Sequence, residues 1–285
     1  MRPSLATTRK TLLAALVPFA ALGSAGWSYL DHKQRELIFR PEVDSAIGTS
    51  LDLNYQEIWI PLARAVETAL HAWWLPAARR DAPTILFLHG ARWSLFGNAD
   101  RIAYWHNLGY SLLAIDYRGF GKSPGALPTE ASVYEDTQSA WEHLKGLQPD
   151  AARRYVYGHS LGGAIAIDLA ANNRDLAGVI VESTFTSIRD MTKVVASRWL
   201  PLERIVRHRF DSLAKIGSVT APVLFMHGTA DEVVPHQMSL RLHAAAREPK
   251  RLAIFGNVGH SDACWKVDAD YRAAVREFIG ESGAA

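Results

Sequence analysis

Three residues of this chain, Ser160, Asp231 and His260, have the types and surroundings that nucleophilic acyl chemistry needs. A neutral hydroxyl attacks a carbonyl poorly until a histidine takes its proton, and a carboxylate must hold that histidine in one tautomer. Ser160 lies in Gly158-His159-Ser160-Leu161-Gly162, between the β-run Tyr155-Val156-Tyr157 and a helical run from Leu161 to Asn172. A serine in that place must turn sharply with positive φ, which is strained for a residue with a Cβ. Gly158 and Gly162 flank it where side chains would strike the opposing backbone. The turn lifts the Ser160 hydroxyl clear of the sheet and sets the Leu161 N–H at a helix start, where an oxyanion can be held. A tight turn without chemistry is the alternative; the strand before it and the helix after it favour a nucleophile.

The other two residues follow the same strand-then-loop pattern. Pro222 to His227 is an apolar strand that runs into Gly228-Thr229-Ala230-Asp231, and Arg251 to Phe255 is another that runs into Gly256 to Asp262, which contains His260. Both side chains are therefore expected on the edge of the sheet that also carries Ser160. Glu232 is a weaker competitor for the carboxylate. Asp116, at another strand end, fits better as the residue closing the turn at Arg118 and Gly119.

Elements that could position these residues alternate along the chain from Leu37. Glu57 to Ile60 and Leu70 to Trp74 read as an antiparallel entry hairpin. Thr84 to Leu88, Ser111 to Ile115, Tyr155 to Tyr157, Val179 to Val181, Val223 to Met226 and Leu252 to Phe255 read as buried parallel strands. Helices are expected over Ala99 to Asn107, Thr129 to Leu147, Leu161 to Asn172, His236 to Ala246 and Ala263 to Phe278. Such alternation predicts an α/β fold, with a mostly parallel sheet of about eight strands covered by helices on both faces. The long interruption from about 186 to 219 is expected to be a short helical cap. Its basic residues Arg204, Arg207, His208 and Arg209 read first as a solvated helix face.

The combined motifs resemble those of the α/β-hydrolase superfamily, and within it the membrane-anchored, bud-emergence-type serine hydrolases. The matching residues are Leu88-His89-Gly90, Asp116 to Gly125, the Ser160 turn, Glu182 to Ser187, His227 to Asp231 and Gly259-His260-Ser261. The resemblance implies a triad of Ser160, Asp231 and His260, and it implies that the second oxyanion donor is the backbone N–H of Ala91. One stretch departs from the pattern. Relatives commonly follow His-Gly with an Asn-x-Gly-Asn type of run, whereas this chain has the bulkier Ala91-Arg92-Trp93-Ser94-Leu95-Phe96-Gly97-Asn98. Trp93 and Phe96 are candidates to line an acyl pocket or to pack beneath a cap, and His159 is a further candidate for the pocket wall.

Composition sets outer bounds. With 285 residues and 48% hydrophobic content, the chain can bury one large core, expected over 37–285. A net charge of +2 gives no general attraction to nucleic acid. The single cysteine, Cys264, permits no internal disulfide and reads as a small buried residue. None of the 11 histidines pairs with acidic or thiol groups at metal-ligand spacing, so no metal or other cofactor is expected. Residues 1–36 are of another kind. Thr11 to Leu30 carries no charged side chain and is long enough to cross a bilayer. Arg2, Arg9 and Lys10 precede it, which predicts a cytoplasmic N-terminus and a catalytic domain on the non-cytoplasmic side. A cleaved signal peptide leaving a secreted or periplasmic protein is the alternative, with small residues at Gly23 and Ala25 as the cleavage signal.

The functional expectation is a serine hydrolase that cleaves a carboxylic ester, lipid ester or thioester through an acyl-enzyme. A peptidase acting on short peptides is the second reading, because prolyl-peptidase relatives carry similar motifs. A membrane-anchored interaction protein that keeps the fold without turnover is the third, and the intact triad argues against it.

Overall fold

The computed structural model describes residues 25–41, 53–62, 65–195 and 205–282. Residues 11–24 of the apolar run and 196–204 of the expected cap lie outside the described residues. Eight strands form one sheet: β1 (Gln56–Leu62), β2 (Ala65–Leu75), β3 (Thr84–Leu88), β4 (Ser111–Ile115), β5 (Arg154–His159), β6 (Gly178–Glu182), β7 (Val223–Gly228) and β8 (Lys250–Phe255). Their order across the sheet is β1-β2-β4-β3-β5-β6-β7-β8. The hairpin β1–β2 joins β4 antiparallel, and every other pairing is parallel.

The parallel strands are apolar throughout because both faces are covered. Leu86, Leu88, Leu113, Val156, Val179, Val181 and Phe225 point to one face, into a core shared with α3 (Glu130–Leu147) and α4 (Leu161–Asn172). Ile85, Phe87, Leu112, Tyr155, Tyr157, Ile180 and Met226 point to the other. There they meet α2 (Ala99–Asn107), α8 (Ala263–Lys266) and α9 (Asp268–Ser282). The remaining helices are α5 (Ile188–Val195), α6 (Ser212–Ile216) and α7 (Gln237–Ala245), together with α1, which covers 25–39. Helices α5 and α6 fall within the expected cap region.

Two of the differences from the expected element boundaries have a clear local reason. Thr129 caps α3 instead of starting it: its hydroxyl accepts the Ser132 N–H at 3.0 Å, and the Ser132 hydroxyl accepts the Thr129 N–H at 2.8 Å. The single helix expected from Ala263 is two. Val267 leaves helical geometry at φ −130° and ψ 46°, and a new helix opens with Asp268 and Asp270 in its first turn, where the helix dipole favours negative charge.

Helix α1 is docked on the domain. Gln34 donates to Ile205 O and accepts from Arg207 N, Arg35 donates to Leu127 O, and Asp31 pairs with His208. Phe39 is fully buried, edge-on to Phe210. Among the described residues, no helix is long and apolar enough to cross a membrane.

Candidate active site

The sheet brings the C-terminal ends of β5, β7 and β8 to one edge, and each delivers one of the three expected residues. Ser160 follows β5 directly, with φ 54° and ψ −116°, a left-handed conformation that costs a residue with a Cβ on the order of 1–3 kcal/mol. The surroundings hold it there. Ser160 N donates to Glu182 O at 2.9 Å, and Ser160 O accepts from Gly163 N at 3.0 Å and from the Thr184 hydroxyl at 2.8 Å. Glycine is required on both sides: a Cβ on Gly158 would collide with Gly162 O, and one on Gly162 would collide with Leu88 O.

His260 and Asp231 complete a chain of hydrogen bonds. His260 Nε2 lies 3.1 Å from Ser160 Oγ, and His260 Nδ1 lies 2.8 Å from Asp231 Oδ2. An ionised carboxylate can only accept, so Nδ1 carries the proton and Nε2 presents a lone pair to the serine. Asp231 is held from all sides. Its Oδ1 accepts the N–H groups of Val233 at 2.9 Å and Val234 at 2.8 Å, and its Oδ2 also accepts from His227 Nε2 at 3.0 Å. Burial alone would push the Asp231 carboxyl up. The hydrogen bonds from His227 and His260 and the His260 charge outweigh burial and hold it well below the usual carboxylate range.

The loop after β3 reaches the same edge. A Cβ on Gly90 would sit 3.3 Å from the Ser160 Cβ, so Ala91 follows a residue in direct reach of the nucleophile. Leu161 opens α4 next to Ser160, and its N–H belongs to the unpaired first turn of that helix. Arg92 is left-handed at φ 81° and gives its N–H to Phe39 O at 2.8 Å, which ties this loop to the end of α1. The bulky residues of the loop diverge. Trp93 stays partly exposed, while Phe96 turns inward to meet Trp73 edge-on with ring centroids 5.0 Å apart.

His159 does not stand open to solvent. It is buried, and its Nε2 donates to His260 O at 2.9 Å. The Asp116 carboxylate does not bond Arg118 or Gly119, although its backbone O accepts the Ser123 hydroxyl at 2.6 Å. Its Oδ1 accepts Leu95 N and its Oδ2 meets His71 Nδ1, so it supports the loop after β3. The turn is closed by Ser123, whose O accepts Gly119 N, and by Asp136, which accepts Arg118 N. Sequence reasoning passed over His227 as a strand-end residue, named Glu182 only as the start of a matching motif without a role, and missed Arg101. Glu182 did leave a signal: it is a carboxylate ending the otherwise apolar strand Gly178-Val179-Ile180-Val181. Among the described residues, no group of three or more His, Cys, Asp or Glu is arranged to hold a metal.

Buried ionisable groups beside the triad make stability depend on acid. Burial, followed by the charges of Arg101 and His260, lowers His159 to about 3, against 6.5 for a free imidazole. Burial would raise Glu182, but the Arg101 charge and the hydrogen bonds from Tyr157 and Tyr271 bring it down from 4.5 to about 2. The unfolded chain therefore takes up a proton at His159 that the folded chain refuses, and stability should decline as pH falls from about 6.5 towards 3. Glu182 contributes only below about 4.5; between pH 6.5 and 4.5 the loss from His159, on the order of 2–3 kcal/mol, adds to that from His89, which burial also lowers, and is opposed by Asp136, which burial raises to about 6. On acidification across that window the denaturant midpoint of wild type should drop further than that of His159→Gln. Parallel slopes would disprove the assignment.

Comparison with known proteins agrees with the fold. The family model described as serine aminopeptidase, S33 matches residues 80–212. The chain is 32% identical to the alpha/beta hydrolase domain-containing protein WAV2 of Arabidopsis thaliana, over 81% of this chain and 82% of that one. It is 35% identical to the protein bem46 of Schizosaccharomyces pombe, over 70% of this chain and 68% of that one. Among solved structures, the Pyrococcus furiosus esterase Pf2001 superposes with a TM-score of 0.68 at 19% identity, covering 85% of this chain and 97% of that one. With relatives this similar over most of both chains and the same fold among solved structures, the chain belongs to the α/β-hydrolase family.

Proposed function

We propose that the protein is a serine hydrolase that cleaves carboxylic esters, lipid esters foremost, through an acyl-enzyme on Ser160. The observation that carries this is the hydrogen-bonded chain from Ser160 through His260 to Asp231, with the serine held at φ 54° over a helix start. In this reading Ser160 Oγ attacks the carbonyl as His260 takes its proton. The N–H groups of Leu161 and Ala91 receive the oxyanion, and His260 returns the proton to the leaving alkoxide. Water then repeats the sequence on the acyl-enzyme and releases the acid. Thioesters fit the same steps.

Apolar side chains on the loops of this edge favour an acyl chain as the bound group. Trp93 follows Ala91 by two residues and Val233 follows Asp231 by two, and both are exposed. A short-peptide hydrolase is the second reading, favoured by the description of the matched family model. An aminopeptidase needs a carboxylate free to receive the substrate's ammonium. Glu182 cannot serve, since Arg101, Tyr157 and Tyr271 already engage it. Fluorophosphonate labelling tests the activated serine and separates an enzyme from an interaction protein. A panel of p-nitrophenyl acyl esters against aminoacyl- and prolyl-anilides then separates the substrate classes, and faster anilide turnover would overturn the ester reading.

Attachment to a membrane through Thr11 to Leu30, with the catalytic domain on the non-cytoplasmic side, belongs to the same proposal. It rests on the uncharged run and on Arg2, Arg9 and Lys10 before it. The full-length protein should stay in the membrane fraction through carbonate washing, and protease should reach it in spheroplasts. A mature N-terminus near Gly26 would overturn the anchor. Deleting 1–30 keeps the docking residues of α1 from Asp31 onward and should yield a soluble, active enzyme. Deleting 1–41 removes the Phe39 O that holds Arg92 N beside Ala91, and should lower kcat about 10-fold or more. Equal activity of the two truncations would show that α1 does not support the oxyanion loop.

A further inference from the structure

We propose that His159, Arg101 and Glu182 form a buried frame that positions His260 against Ser160. This rests on the reading of Ser160 as nucleophile and asks what fixes the distance over which its proton moves. His260 lies in the 256–262 loop after β8, and a loop residue keeps a reacting distance only if its backbone is held. Two successive carbonyls of that loop receive buried donors from outside it. His159 Nε2 donates to His260 O at 2.9 Å, and Arg101 Nη2 donates to Ser261 O at 2.6 Å.

Both donors are themselves fixed. Arg101, on α2, gives Nη1 to Glu182 Oε1 at 2.9 Å and to Tyr157 OH at 3.2 Å, and Trp265 lies over its guanidinium at 5.4 Å. Glu182 Oε2 accepts the hydroxyls of Tyr157 at 2.6 Å and Tyr271 at 2.8 Å. The arrangement also reaches the nucleophile from the other side. His159 is the residue before Ser160 and pairs across the sheet with Glu182, whose backbone O takes the Ser160 N–H. The main chain of β6 thus holds the serine while its terminal side chain, through Arg101, holds the histidine loop. A buried ion pair adds little stability over apolar side chains of the same size, so a role in placing groups accounts for it better.

The neutral His159 can donate to a carbonyl only with its proton on Nε2, and glutamine offers an amide N–H at a similar reach. His159→Leu should therefore lower kcat roughly 10- to 100-fold with KM little changed, slow fluorophosphonate labelling to match, and His159→Gln should recover most of both rates. Arg101→Met combined with Glu182→Gln removes both buried charges together and leaves none unpaired. That double variant should fold with wild-type thermal stability and still lose kcat by a similar factor, because Ser261 O has lost its donor. If the double variant does not fold, the His159 pair decides alone. Wild-type kcat in His159→Leu, or equal kcat in the Leu and Gln variants, would overturn the frame. Ser160→Ala run in parallel separates the two claims: turnover surviving in it would refute the nucleophile, whereas its silence beside a fully active His159→Leu would refute only the frame.

Discussion

Ser160→Ala is expected to lower kcat/KM on any ester the wild type cleaves by roughly 10³-fold or more and to abolish fluorophosphonate labelling. In the proposed reaction the hydroxyl oxygen is the atom that forms the acyl bond, and it is the group that His260 Nε2 meets, at 3.1 Å. Folding should survive. Alanine keeps the Cβ, so the cost of φ 54° is the same in both proteins, and the bonds that hold the turn use Ser160 N and O, not its side chain. Only the bond to His260 Nε2 is lost from the fold, so the thermal midpoint should stay close to that of wild type. Turnover near the wild-type rate in a folded Ser160→Ala would place the chemistry on another residue. Under the same scheme kcat/KM of the wild type should climb with pH through the neutral range and then level off, because a histidine must be neutral to act as base.

What could be read from the sequence, and what could not, divides by the distance over which the signal acts. The central strands were legible because each is a short apolar run bounded by turn residues, whereas the longer, partly polar β2 was read only over its second half. The Ser160 turn was legible because its glycines sit two residues away, within the motif. Asp231 and His260 stood out because each follows a strand. The frame behind them left almost no trace. Arg101 and Glu182 are 81 residues apart, and only the sheet order and the packing of α2 bring them together. Asp116 was misread because a carboxylate at a strand end suggests its own turn, whereas its partners Leu95 and His71 come from other elements. The docking of α1 depends on side chains such as Gln34 and Asp31 meeting 205–208, which no period in the sequence encodes.

The second large effect is expected from Asp231→Asn, and the surroundings of Asp231 say why an isosteric change should be so costly. Two backbone N–H groups, of Val233 and Val234, point at Oδ1. An asparagine at this position must put its carbonyl oxygen there, since its NH₂ would face two donors. The NH₂ is then forced into the place of Oδ2, 2.8 Å from His260 Nδ1 and 3.0 Å from His227 Nε2. An amide that donates to Nδ1 makes that nitrogen the acceptor, so the His260 proton moves to Nε2, which faces Ser160 Oγ. A histidine in that tautomer has no lone pair for the serine proton. His227 can keep its tautomer, because its Nε2–H also has Val234 O at 2.9 Å as an acceptor and can turn to it from position 231. The variant should therefore remain folded, with kcat lower by roughly 10⁴-fold, the cost of the wrong tautomer in serine hydrolysis. Single-turnover acylation should show the same loss, since it is the attack itself that fails. A loss below 10-fold in a folded Asp231→Asn would mean that the backbone of the 256–262 loop, not the carboxylate, sets the orientation of His260.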